Sequence, residues 1–174
     1  MNSFGRVAAF DAGYKNFACC VLSSDYPLTP LLWRRFALST GRNKPSTDTL
    51  IRALRRFFEE NAELFKTCTH FVVEKQMREK MFVINAVVQC LIRERFDKAA
   101  VEVAPRTFSQ FWQFPSTRDL KKEAAVTYVK RLGVIFPDER KLDDLADAFW
   151  LAALVLVETC AVGYKVFRPL DQNP

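Results

Sequence analysis

Four acidic side chains stand in otherwise apolar stretches of this sequence. Asp11 closes the run "VAAFD", Glu74 interrupts "HFVVEKQ", and Asp144 and Asp147 lie within "KLDDLADAFWLAA". A buried carboxylate is costly unless it is hydrogen-bonded, paired with a basic side chain or bound to a metal. Side chains alternate along a strand, so Val7, Ala9 and Asp11 share a face. Residues three apart share a helix face, so Asp144 and Asp147 lie together and Asp143 points away from them. The helix dipole favours first-turn acids by ~0.3–1 kcal/mol each. That accounts for Asp143 and Asp144 but poorly for Asp147, a turn deeper between Ala146 and Ala148. If the four acids converge, two charges ~4 Å apart cost about 4 kcal/mol even at an effective dielectric of 20. A cation relieves that repulsion. Carboxylates are hard ligands suited to Mg²⁺ or Mn²⁺, and two such ions can activate a water and stabilise the leaving oxygen in phosphodiester cleavage. The chemistry on offer is that of a two-metal nuclease, with Asp11, Glu74, Asp144 and Asp147 as candidate ligands.

The elements that must position these residues follow from the hydrophobic pattern. Residues 6–12, 17–23 and 31–38 read as three strands of an antiparallel meander, and "GRNKPSTD" (41–48) has turn chemistry ending in N-cap residues. Leu50, Ile51, Leu54, Phe57 and Phe58 recur at helical spacing, which predicts a helix from Thr49 to about Phe65. A strand over 70–76, a helix over 80–96 and a strand over 99–104, stopped by Pro105, come next. "RTFSQFWQFPSTRD" is aromatic and reads as irregular. A helix from Leu120 to Leu132, a loop containing Pro137, a helix from Leu142 to about Ala161 and an apolar tail complete the chain. Strands alternating with helices in the middle imply parallel pairing there, and ligands gather at the carboxyl ends of such strands. The expected class is α/β, a mixed sheet of three antiparallel and two parallel strands flanked by helices.

Composition bounds the rest. The chain has 174 residues, enough for one domain spanning 1–174, and only five glycines. No apolar run reaches the ~18 residues needed to span a bilayer, and the first strand begins too early to leave room for a leader. The expectation is a soluble, intracellular protein with no membrane partner. Five cysteines without C-x-x-C spacing and a single histidine, His70, argue against zinc. Most of the cysteines read as reduced core thiols, and His70 as structural. The net charge of +6 is compatible with a phosphate-rich partner. The basic residues form small clusters: Arg34-Arg35, Arg52/Arg55/Arg56, Lys75/Arg78/Lys80, Arg118/Lys121/Lys122 and Lys130-Arg131. Solvated helix faces account for most clusters of that size.

"FDAGYKNFA", "VVEKQ", "RDLKK" and "PDERKLDDLADAFWLA" together resemble the motifs of poxvirus-type Holliday junction resolvases, relatives of bacterial RuvC and of mitochondrial resolvases within the RNase H-like fold. The resemblance runs from about residue 6 to residue 155. It implies an endodeoxyribonuclease that resolves four-way DNA junctions by paired, symmetric nicks in viral recombination or concatemer resolution. It also implies Asp11, Glu74, Asp144 and Asp147 as metal ligands, with Mg²⁺ (two ions per site, Mn²⁺ a substitute) as cofactor. A functional lysine matches either Lys121 or Lys122, placed near the scissile phosphate. Asn16 and Gln76 match the motifs as groups that orient the ligands, or cap turns. The family acts as homodimers, with helix 80–96 as candidate interface, and the poxvirus setting implies the host cytoplasm.

Other readings remain at this point. One is an RNase H-type nuclease on another nucleic acid, and another is a non-catalytic junction-binding module. An actin-like ATPase opening on the same D-x-G turn is disfavoured by chain length and by the lack of a second glycine-rich phosphate loop. Phe108, Phe111, Trp112 and Phe114 offer either a stacking surface for opened bases or a satellite core.

Overall fold

The computed structural model describes residues 5–13, 16–24, 29–38, 45–76, 79–137 and 141–159. Three strands, β1 (Arg6–Asp11), β2 (Phe17–Ser23) and β3 (Leu32–Phe36), form the meander by antiparallel pairing. Two more, β4 (His70–Glu74) and β5 (Ala100–Val103), add in parallel to β1, giving the order β3-β2-β1-β4-β5. The expected mixed sheet is therefore observed. β2 is buried along its whole length, which is why "FACCVLS" carries no alternation: both of its faces meet helices.

Among the described residues six helices cover the sheet: α1 (Thr47–Glu60), α2 (Ala62–Lys66), α3 (Glu79–Phe96), α4 (Pro105–Phe111), α5 (Arg118–Arg131) and α6 (Leu142–Thr159). Alternation along the strands sorts the core in two. Ala8, Phe10, Phe17, Cys19 and Val73 join Leu54, Phe58, Phe65, Val88 and Ile92 on the side of α1, α2 and α3. Val7, Ala9, Ala18, Cys20 and Val72 join Phe108, Ala125, Val129 and the buried residues of α6 on the other side. Phe10 is the hub of the first cluster, stacked on Phe58 at 5.4 Å and edge-on to Phe65 at 5.8 Å.

α6 lies between the sheet and α5, and its residues 145–156 are buried except for Asp147. Two tryptophans fix it. Trp150 Nε1 donates to the Ala125 carbonyl of α5 at 2.9 Å, and Trp112 Nε1 donates to the Trp150 carbonyl at 3.1 Å. At the other end, Trp33 Nε1 on β3 donates to the Leu145 carbonyl at 2.9 Å. Each bond satisfies an indole N–H that burial would otherwise penalise.

Three expectations need correction. The helix over 49–65 is two helices, because Asn61 breaks it with φ −114°, its side-chain amide donating to the Phe57 carbonyl at 2.8 Å; short polar side chains compete for helix carbonyls in this way. The aromatic stretch is not irregular throughout. Pro105 ends β5 but also starts α4 at a position where its missing N–H costs nothing. The strand over 31–38 is shorter, ending at Phe36. Ser46 caps α1 as expected, accepting from the Thr49 N–H at 3.2 Å, while positions 41–44 of the predicted turn lie outside the described residues. So do Arg78, Cys160 and the apolar tail. Cys19, Cys20 and Cys68 are buried free thiols, and burial pushes Cys68 up to about 12; Cys90 is exposed. His70 Nδ1 shares a 3.0 Å hydrogen bond with the Thr69 hydroxyl, a structural contact. Among the described residues no helix is long and apolar enough to cross a membrane.

Candidate active site

β1 and β4 run side by side in parallel, with Phe10 opposite Val73, so the next residue of each strand, Asp11 and Glu74, comes at the shared carboxyl end. The side chains of Val7, Ala9 and Val72 face α6, and the two-residue strand period places Asp11 and Glu74 on that same face. α6 brings Asp144 and Asp147 from above, one helical turn apart. A cleft lined by Asp11, Glu74, Phe108, Asp147 and Leu151 opens there. The four acids read from the sequence therefore face one region.

Their electrostatics reflect the crowding. Asp11 is held well above the ordinary carboxylate range, by burial first and then by the charges of Glu74, Asp147 and Asp144. A side-chain hydrogen bond with Glu74 raises it further. Burial raises Glu74 as well, against the charge of Lys121 and hydrogen bonds from Asp11 and Gln76. Asp147 is pushed to about 7, again chiefly by burial, with Lys121 opposing and Glu74 reinforcing. Burial and the neighbouring charge of Asp143 raise Asp144. Two atoms stand out: Asp144 Oδ2 and Asp147 Oδ1 are buried without a hydrogen-bond partner. Orphaned carboxylate oxygens at a cluster of raised acids are what a divalent cation would relieve. The donor set, all carboxylate, suits a hard ion such as Mg²⁺ or Mn²⁺. Among the described residues no three His, Cys, Asp or Glu side chains already close on a common point, so gathering one ion requires side-chain rotation from this arrangement.

The two consecutive lysines of α5 take different partners. Lys121 Nζ lies 4.8 Å from the centroid of the Phe108 ring, at the cleft, and its charge acts on Glu74 and Asp147. Lys122 pairs with Asp143, tying α5 to the first turn of α6. Burial would raise Asp143, but the hydrogen bond and charge of Lys122 prevail and lower it. Asp143 thus pairs with a lysine, a partner the sequence did not name, and it remains close enough for its charge to act on Asp144 and Asp147.

Gln76 reaches back to Glu74, its amide 3.5 Å from a carboxylate oxygen and 3.4 Å from the backbone carbonyl. Asn16 directly precedes β2. A Cβ on Gly13 would come within 2.9 Å of the Asn16 carbonyl, so the close approach of these two residues requires glycine at 13. Asn16 Oδ1 accepts from Arg35 Nη1 at 3.1 Å. Arg35 is the site-flanking residue that the sequence left in an anonymous basic pair; strand register alone reveals its position. Of the other basic clusters, Arg52 and Arg56 pair with Asp48 and Glu60 on the exposed face of α1, as solvated helix faces do. Phe108, Trp112 and Phe114 are buried against α6, so the aromatic segment is a satellite core rather than an exposed stacking surface, with Phe108 also lining the cleft.

Comparison with known proteins places this geometry. The family described as "Poxvirus A22 protein" matches residues 6–159. RuvC of T. thermophilus in complex with a Holliday junction substrate superposes with a TM-score of 0.65 at 18% identity, covering 88% of this chain and 96% of that one. The fowlpox virus Holliday junction resolvase gives 0.64 at 13% identity, covering 88% and 98%. The yeast mitochondrial Holliday junction resolvase Ydc2 gives 0.60 at 16% identity, covering 94% and 83%. At these identities the likeness establishes the fold. Among curated proteins no match was found.

Proposed function

The chain belongs to the poxvirus A22 protein family, and from that premise we propose that it is a metal-dependent, structure-selective endodeoxyribonuclease that resolves four-way (Holliday) junctions by paired, symmetric nicks. The observation that carries the reading is the convergence of Asp11 and Glu74, at the ends of adjacent parallel strands, on Asp144 and Asp147 of α6, two of whose oxygens are buried and unpartnered.

In this reading Asp11, Glu74, Asp144 and Asp147 hold divalent cations, two Mg²⁺ per site with Mn²⁺ as a substitute. Bound there, the cations supply an activated water and charge stabilisation at the phosphate. The chain's own residues do the rest. Lys121, directed at the cleft over Phe108, stabilises negative charge developing on the scissile phosphate. Lys122 fixes α5 against α6 through Asp143 and so aims its neighbour. Gln76 steadies the Glu74 carboxylate.

Symmetric nicking requires two sites, and α3 supports a homodimer. One side of that helix enters the core through Ile84, Val88 and Ile92, while Phe82 and Val83 on its outer side are 50% and 39% exposed. The whole chain, 1–174, acts in this reading as one nuclease domain, at viral replication sites in the host cytoplasm, in recombination or concatemer resolution.

The test is cleavage of a synthetic mobile four-way junction in Mg²⁺, beside an RNA–DNA duplex, by wild type and by Asp144→Asn. Paired symmetric nicks in the junction by wild type alone support the proposal. Cleavage of the hybrid instead makes the protein an RNase H-type enzyme. Equal cutting by the variant removes Asp144 from the metal set.

A further inference from the structure

The register of the meander places a basic residue in line with the acids. Asp11 of β1 pairs with Ala18 of β2, and Ala18 pairs with Arg35 of β3. Directly opposed residues in antiparallel strands point to the same side of the sheet, and Ala18 lies in the core under α6. Arg35 therefore rises from the same face as Asp11, two strands away. At ~4.8 Å per strand its Cα is about 10 Å from that of Asp11.

Three further observations bear on its orientation. Arg35 Nη1 donates to Asn16 Oδ1, and the Asn16 backbone lies against Gly13, two residues after Asp11. Its charge acts on Asp144. It sits half-buried on the sheet, unlike Arg52 and Arg56, whose side chains are about four-fifths exposed on α1. A guanidinium preset in this way matches a phosphate oxygen pair better than a flexible ammonium does.

We infer that Arg35 is a substrate-binding residue, a guanidinium clamp for a backbone phosphate of the cut strand beside the acidic cluster, oriented by Asn16. The inference rests on the nuclease reading above. It makes the β3 side of the cleft the rail along which one arm of the DNA runs, with the strand positioned before the metals act on it.

The test measures junction binding as a function of salt in the cleavage-blocked Asp147→Asn background, in Mg²⁺, for the parent, Arg35→Ala, Arg35→Lys and Arg56→Ala, with thermal melting of each. Arg35→Ala is expected to bind roughly tenfold more weakly at physiological salt. Its log–log salt slope is expected to be shallower by about 0.9, the signature of one lost phosphate contact. Arg35→Lys keeps the slope but not the full affinity, and Arg56→Ala, on the opposite side of the sheet, keeps both. A structural role for Arg35 would lower the melting temperature and leave the slope unchanged, and that result overturns the inference. So does an equal change in slope from Arg56→Ala. If the parent does not bind the junction, the nuclease reading falls with it; if the parent binds and Arg35→Ala is indistinguishable from it, only the role of Arg35 falls.

Discussion

Asp11 and Glu74 end adjacent parallel strands in hydrogen-bond contact, and burial with the charge of Glu74 holds the Asp11 carboxyl well above the ordinary carboxylate range. Asparagine keeps the size and a donor amide without the charge. Asp11→Asn is therefore expected to fold at least as stably as wild type, since it removes one buried charge from the crowded acids and its amide can donate to Glu74. It should lose junction cleavage by at least about 10²–10³-fold, because an amide is a poor ligand for a hard cation. Melting curves and single-turnover cleavage check both halves. A variant that cuts at the wild-type rate removes Asp11 from the metal set.

Stability should fall as pH rises. Asp147 has its pKa pushed from 3.8 to about 7, and Asp11, Glu74 and Asp144 shift the same way. Between those values the folded chain holds protons that the unfolded chain has released. The unfolded state thus binds fewer, and unfolding free energy decreases with pH. In EDTA the melting temperature is expected to decline as pH rises from about 4 through about 7, by ~2–4 °C for each 1 kcal/mol lost. Mg²⁺ at 100 times its dissociation constant should restore about 2.7 kcal/mol at pH 8. Asp147→Asn should flatten the profile and weaken the response to Mg²⁺. A melting temperature that rises across this window in EDTA would contradict the crowding of the acids.

Lys121 and Lys122 should separate cleanly. Lys121→Met is expected to reduce the single-turnover cleavage rate by about 10²-fold or more, with folding intact, because its ammonium faces Glu74 and Asp147 across the cleft. Lys122→Met breaks the partly buried pair with Asp143. It should cost about 1 kcal/mol of stability, and recovery in the Lys122→Met/Asp143→Leu double variant would mark the pair as structural. The reverse pattern, with Lys122 carrying the rate and Lys121 the stability, would exchange their roles.

The lysines also show where sequence reading stops. The acids were legible because each interrupts an apolar run, and an apolar run with one carboxylate states its own anomaly. The mixed pairing, three antiparallel strands and then two parallel ones, followed from the short turns and from helices between the later strands, and the family match confirms the poxvirus-type resemblance carried by the motifs. Lys121 and Lys122, however, differ by 100° of helix rotation, and α5 has only Ala125 and Val129 fully buried to fix its phase. Arg35 became visible only through two successive strand registers, a relation between segments that no local pattern contains. Pro105 was legible as the end of a strand but serves equally as a helix start, which hid α4.

The aromatic segment should behave as core. Phe114 packs edge-on to Trp150 at 5.9 Å and beside Phe108 at 5.7 Å, and is 8% exposed. Phe114→Ala is expected to destabilise by about 3–5 kcal/mol, visible in urea unfolding. Junction affinity per folded molecule should stay unchanged. Loss of affinity without loss of stability would instead return this segment to the DNA.

The outer side of α3 carries the last test. Ile84, Val88, Leu91 and Ile92 already satisfy the side that faces the sheet, so the exposure of Phe82 and Val83 is not needed for the monomer's core. Adjacent exposed apolar side chains on a helix offer a surface for another protein, and a second copy of α3 would cover them self-complementarily. Wild type is expected to sediment as a dimer. Phe82→Glu/Val83→Glu would place like charges across that contact and should sediment as a monomer with a wild-type melting transition at low protein concentration. On a junction, the dimer's two nicks should appear within one binding event. The monomeric variant should leave singly nicked molecules that accumulate before any resolved product. A wild type that is monomeric at micromolar concentration, or a charged variant that remains dimeric, would move the interface elsewhere or remove it.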